Sequence, residues 1–134
     1  FEPVGLSSGP GTLDLAAPIN ADEGSWYLQP AASAQIRVPC CDLSTLLKKH
    51  GHSRVDLLKI DIEGSEFSVL DDILARRIPV RQICVEYHHG MIPGIRRSQT
   101  IRSILALRRR GYRLLHQDGT NHTFLWTAAW PPRN

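Results

Sequence analysis

The chain carries carboxylates and a histidine where two apolar runs end. Asp61 and Glu63 follow Val55-Asp56-Leu57-Leu58-Lys59-Ile60, and Glu86 and His88 close the run that begins Arg81-Gln82-Ile83-Cys84-Val85. Such groups can orient a hydroxyl and take its proton, histidine being the side chain whose charge changes nearest neutral pH. If the two runs are neighbouring strands, all four groups face one crevice. Residues two apart share a side of a strand, so Asp61 with Glu63, and Glu86 with His88, converge only while the backbone stays extended. Three carboxylates beside a histidine also suit a hard divalent cation. No ligand spacing demands one, however, and metal dependence is not favoured. Structural readings stay open beside these. Acidic residues at a strand-to-helix corner also serve turns and helix N-termini, Lys59 and Glu63 can be partners around a buried strand, and His89 can be a plain loop residue.

The elements that must hold these groups follow from periodicity. The first run is near-continuously apolar, the pattern of a strand buried on both faces. Ahead of it, Gln35 to Cys40 reads as a strand with Ile36 and Val38 on one face. Asp42 then sits where an N-cap belongs, Leu43, Leu46 and Leu47 follow at helical spacing, and Gly51 is a stop. After Gly64 an amphipathic helix turns Phe67, Leu70, Ile73 and Leu74 inward. Glu66 suits its first turn, Arg76 and Arg77 its last, and Pro79 prevents continuation. A loop through Gly90, Pro93 and Gly94 follows the second run. The helix expected over residues 98–110 turns Ile101, Ile104, Leu105 and Leu107 inward and leaves Arg102, Arg108, Arg109 and Arg110 to solvent. Tyr112 to His116 and Thr123 to Thr127 flank an Asp118-Gly119 turn signal, which predicts a β-hairpin. Strands alternating with helices predict an α/β fold with a mostly parallel sheet, made mixed by the closing hairpin.

With 134 residues the chain suits a single domain. Residues 1–35 read as an irregular strand and hairpin region, 36–127 as the α/β core and 128–134 as a tail. Gly5-Leu6-Ser7-Ser8-Gly9-Pro10-Gly11 has the glycines of a phosphate-cradling loop. Thr12-Leu13-Asp14-Leu15 after it alternates like a strand and Pro10 interrupts it, so a hairpin or strand connection is expected. Trp26-Tyr27-Leu28 is another short extended piece or part of a loop. The net charge of +3 permits acidic ligands without implying them. The arginine cluster lacks an aromatic stacking platform, so no nucleic-acid partner is expected. Three cysteines at Cys40, Cys41 and Cys84 form neither a disulfide framework nor a zinc spacing, and a reducing, cytoplasmic setting is the simplest reading. No apolar run is long enough to span a membrane and no basic-then-apolar leader is present. The sequon at Asn121-His122-Thr123 would matter only in a secreted protein. Phe1 in place of Met implies processing or a longer polypeptide.

The order of elements is similar to the second half of the S-adenosylmethionine-dependent methyltransferase fold, whose seventh strand runs antiparallel beside the fifth. Lys59-Ile60-Asp61-Ile62-Glu63-Gly64-Ser65-Glu66 closely resembles the hallmark of FkbM-type methyltransferases, an apolar strand ending in Lys-Ile-Asp-(Val/Ile)-Glu-Gly-(Ala/Ser)-Glu. Val4-Gly5-Leu6-Ser7-Ser8, Val38-Pro39, Asp42-Leu43 and Val85-Glu86-Tyr87-His88 fit the same pattern, over most of residues 4–127. The resemblance implies a Rossmann-like class I sheet and S-adenosylmethionine as cofactor. It also implies methylation of a hydroxyl on a small molecule or saccharide. Asp61 would line the cofactor pocket, and Glu2, resembling the end of the family's second strand, would bind the ribose hydroxyls. Asp61, Glu63, Glu86 and His88 would carry the chemistry. The family's glycine-rich Asp-x-Gly-Ala-Asn-x-Gly turn has no counterpart here, so the chain reads as a partial domain. Its rivals are a non-catalytic or partner-dependent remnant of the fold and, more weakly, a metal-assisted hydrolase.

Overall fold

The structure, a computed structural model, describes residues 1–17, 26–28 and 36–129. Along the chain run β1 (Gly5–Leu6), β2 (Gly11–Ala16), β3 (Tyr27–Leu28), β4 (Ile36–Cys41) and α1 (Leu43–Lys49). Then come β5 (Val55–Ile60), α2 (Glu66–Arg76), β6 (Val80–Glu86), α3 (Arg97–Arg109), β7 (Tyr112–Asp118) and β8 (Asn121–Trp126). The expectation for the tail from Trp130 onward lies outside the described residues.

The strands form two sheets, in the orders β1-β4-β2-β3 and β5-β6-β8-β7. Residues 35–40 therefore do not lead the parallel sheet as expected. Ile36–Cys41 instead pairs antiparallel with β2 and parallel with β1. Gly5 lies close to Leu13 here: a Cβ on Gly5 would meet Leu13 Cδ1 at 2.6 Å, so the leucine side chain would have to shift. The Ser7–Pro10 segment is a connection between two strands that flank β4. Its chain leads into β2 and not into a helix, as the alternation after Pro10 predicted.

In the second sheet β5 and β6 are parallel, while β8 is antiparallel to both β6 and β7. The hairpin thus closes with its second strand inserted between β6 and β7. Ile60, Ile83, Val85 and Phe124 from this sheet bury against Val69, Leu70 and Ile73 of α2 and Leu107 of α3. Apolar residues alternate along the strands and recur at helical spacing along α2, which is why one face of the sheet becomes the core.

Two expectations about burial fail for identifiable reasons. β5 is not buried on both faces: Asp56, Leu57 and Lys59 are exposed, Leu57 by 60%. Among the described residues β5 is the edge strand of this sheet. On α3 the inward stripe is Thr100, Ser103 and Leu107, with Ile104 partly buried, while Ile101 and Leu105 are exposed. Two hydrogen bonds turn the helix this way. Thr100 Oγ1 lies 2.9 Å from His89 Nδ1, and Ser103 Oγ lies 2.9 Å from the Tyr87 hydroxyl.

Asp42 caps α1 as its sequence position implied, accepting the Thr45 N–H at 2.8 Å and the Ser44 hydroxyl at 2.7 Å. The Ser44 hydrogen bond foremost, with the Thr45 N–H and the nearby Arg76, holds the Asp42 carboxyl below its ordinary value against the opposing effect of burial. A carboxyl depressed in the folded state stabilises above its unfolded value, near pH 4, and loses that contribution as pH falls through the folded value. Asp42→Ala should therefore lower unfolding free energy by about 1 kcal/mol at pH 7. In urea titrations the gap between variant and parent should narrow as the pH is lowered below about 4.

Candidate functional site

The corner after β5 is built by backbone that leaves the extended region. Glu63 has φ of 50° and Gly64 has φ of 113°, both in the half of conformational space that L side chains avoid. Asp61 and Glu63 consequently converge through a turn, and not through strand alternation. The same turn aims the Gly64 N–H at Glu66 Oε1, 3.0 Å away.

Glu66 opens α2, where a carboxylate suits the helix dipole. It is not a solvated first-turn charge, however, being fully buried. Its Oε1 accepts the Gly64 N–H and a hydrogen bond from His88 Nδ1, and its Oε2 has no hydrogen-bond partner among the described residues. With Nδ1 donating, the other ring nitrogen of His88 is turned outward. His88 Nε2 stands 3.3 Å from Glu63 Oε2 and 3.8 Å from Asp61 Oδ1. The His88 side chain is 6% exposed, against 38% for Asp61 and 23% for Glu63, so an enclosed imidazole backs two accessible carboxylates.

The end of β6 is held by Tyr87, which is wholly buried and stacks on Phe67 at 5.4 Å between ring centroids. Burial pushes its phenol up to about 12, so it stays neutral and serves as an anchor, bonded to Ser103. Lys59 donates to Asp61 Oδ2 at 2.8 Å, and this hydrogen bond holds the ammonium above the usual lysine range.

Of the residues singled out by sequence, Asp61, Glu63 and His88 are brought together. Glu86 is not in that group. It sits at the end of β6 opposite Asn121, and Lys59 is the charge it acts on. Glu2 also lies elsewhere: its two carboxylate oxygens take Lys49 Nζ and His50 Nε2, each at 2.7 Å, and these partners hold its carboxyl below the usual range. Sequence reasoning missed Glu66 as a member of the site. The signal was present, since Glu66 is the last residue of the Lys59–Glu66 motif, but a glutamate in a first helical turn has an ordinary explanation.

Asp61 and Glu63 line a cleft of about 320 Å³ whose other walls come from the first sheet, with Gly5, Leu6, Leu13, Leu15 and Val38, and from Trp26. A larger cavity of about 460 Å³ opens at the opposite ends of the strands, between Ile73, Val80, Arg109 and Trp126. No carboxylate, histidine or cysteine lines it. The chemistry-bearing groups belong to the smaller cleft, at the carboxyl ends of the parallel strands, where open α/β sheets bind ligands.

The chain is thus a mixed α/β fold with an acid and imidazole cluster at its strand ends. The family profile of the methyltransferase FkbM domain matches residues 2–114, and the chain belongs to that family. Searches among curated proteins and among solved structures returned no match. Among the described residues no helix is long and apolar enough to cross a membrane.

Gly64→Ala should test how the corner is set. A side chain at this positive φ should lower unfolding free energy by about 1–2 kcal/mol. It should also shift the imidazole resonances of His88, which depend on the Gly64–Glu66 hydrogen bond. Unchanged denaturant midpoints and spectra would show that the turn is not the determinant.

Proposed function

We propose that the chain acts as an S-adenosylmethionine-dependent methyltransferase on a hydroxyl of a small molecule or saccharide. The observation that carries this reading is the convergence of Asp61, Glu63 and His88 beside one cleft, in a chain of the FkbM family. The order β5-β6-β8-β7 with β8 reversed supports a Rossmann-like methyltransferase sheet, of which these strands would be the second half. Three free cysteines are compatible with a reducing, cytoplasmic setting.

The cleft fits the two ends of the cofactor. Leu6, Leu13, Leu15 and Trp26 offer an apolar wall to the adenine, and Asp61 and Glu63 offer negative charge to the cationic methionine end. Its volume lies at the small end of the range for ligand pockets, roughly 300–1,000 Å³. When bound, S-adenosylmethionine supplies a methyl group on an electrophilic sulfonium centre. Asp61, steadied by Lys59, would hold the methionine amino group. Glu63 would position the acceptor hydroxyl, with His88 Nε2 close behind to receive its proton. Glu66 would keep His88 in the tautomer that can do so. Glu86 would act indirectly, through the charge it presents to Lys59. For Glu2 to take the ribose hydroxyls, it would have to exchange its present bonds to Lys49 and His50.

Asp61→Asn and His88→Ala should each reduce methyl transfer by at least about 100-fold, the scale of a lost acid–base or positioning group. Folding, followed by circular dichroism, should be largely retained in Asp61→Asn. Normal turnover in both variants would sink the assignment. A second reading, a module that needs a partner to bind cofactor, is favoured by the exposed Leu57 on β5. Calorimetry separates the two: micromolar binding of S-adenosylmethionine by this chain alone would count against the partner-dependent module.

A further inference from the structure

We infer that Asp61, Glu63 and His88 form a binding site for a divalent cation of the manganese or magnesium class. One donor atom from each residue lies within 4.8 Å of the other two, so the carboxylates would draw together slightly around an ion. Two donors each about 2.1 Å from a shared cation stand about 3 Å apart at right angles and about 4.2 Å apart when opposed. The distances from His88 Nε2 to Glu63 Oε2 and Asp61 Oδ1, 3.3 and 3.8 Å, fall in that interval.

The second observation lies behind the cluster. His88 is enclosed, and its Nδ1 donates to the fully buried Glu66. That bond leaves Nε2 directed at the two carboxylates, the outer arrangement that metal-binding histidines adopt. Nε2 stands 3.3 Å from Glu63 Oε2 and 3.8 Å from Asp61 Oδ1, longer than a well-formed charge-assisted hydrogen bond. Charge points the same way. Asp61, Glu63 and Glu66 gather three carboxylates around the His88 ring, and Lys59 donates to Asp61 Oδ2. A divalent ion would balance the remainder and turn a repulsive cluster into a coordinated one. Two carboxylate oxygens and one imidazole suit manganese best, with magnesium as the harder alternative, and leave positions open toward the cleft for water or an acceptor hydroxyl. In that state His88 is a ligand and not a proton acceptor.

The inference does not depend on methyl transfer, and its test uses neither cofactor nor acceptor. The intact chain would be titrated with manganese(II) chloride, followed by calorimetry and by the electron paramagnetic resonance of the free ion. One ion per chain should bind, and the His88 imidazole resonances should broaden. Asp61→Asn and Glu63→Gln, both at accessible positions, should each weaken binding at least about 10-fold. Glu66→Gln should weaken it by about 10- to 100-fold through the orientation of His88. Asp118→Asn, in the exposed hairpin turn, should leave it unchanged. Absence of binding up to millimolar manganese, equal affinity in the Asp61 and Glu63 variants, or broadening of other histidines without His88 would each overturn the site.

Discussion

The buried carboxylate of Glu66 is the constraint on which the strand-end corner depends. Removing an ionised carboxylate from water costs on the order of several kcal/mol even after relaxation. Only close donors offset such a cost. Here they are the Gly64 N–H and the His88 ring, and each requires something of the chain around it. The N–H is available because Glu63 and Gly64 accept positive φ. The ring is available because Tyr87 pins the end of β6 under α2 and α3. Backbone turn, helix start and strand end are therefore mutually determined. The accessible face of the corner, with Asp61 and Glu63, is displayed by a rigid interior.

Much of this was legible in the sequence because the signals were local. The helices following Asp42 and Gly64, the strand read over residues 81–88 (Val80–Glu86 in the structure) and the Asp118-Gly119 hairpin all depend on caps, turns and periodicity within a few residues. The pairing of β4 was not legible, since its ladder partners, residues 5–6 and 11–15, lie more than twenty residues away in the chain. The inner face of α3 was misread for a related reason. Apolar spacing favoured Ile101 and Leu105, but Thr100 and Ser103 were drawn in by polar partners on a different element. The pairing of Asp61 and Glu63 was foreseen from extended geometry and is reached by a turn. Their convergence with His88 was anticipated; the participation of Glu66 was not.

The cleft joins two kinds of wall. The first sheet gives it leucines, Val38 and a tryptophan, while the corner of the second gives it charge. A ligand with one flat apolar end and one charged end suits such a place better than a uniformly polar one. The electrostatic half is backed by a buried histidine, and Lys59 donates to Asp61. The apolar half depends on short strands, β1 being two residues long.

The outer side of β5 has a consequence of its own. Among the described residues β5 pairs as a strand with β6 alone, and a sheet edge is where a further extended segment could be laid. Asp56 and Lys59 on this strand are the charged side chains that discourage indiscriminate stacking. A segment accepted there would lie about 4.8 Å from β5, and β5 leads directly into Asp61. Sheet growth and occupation of the cleft would then be neighbouring events, each within reach of the same carboxylate.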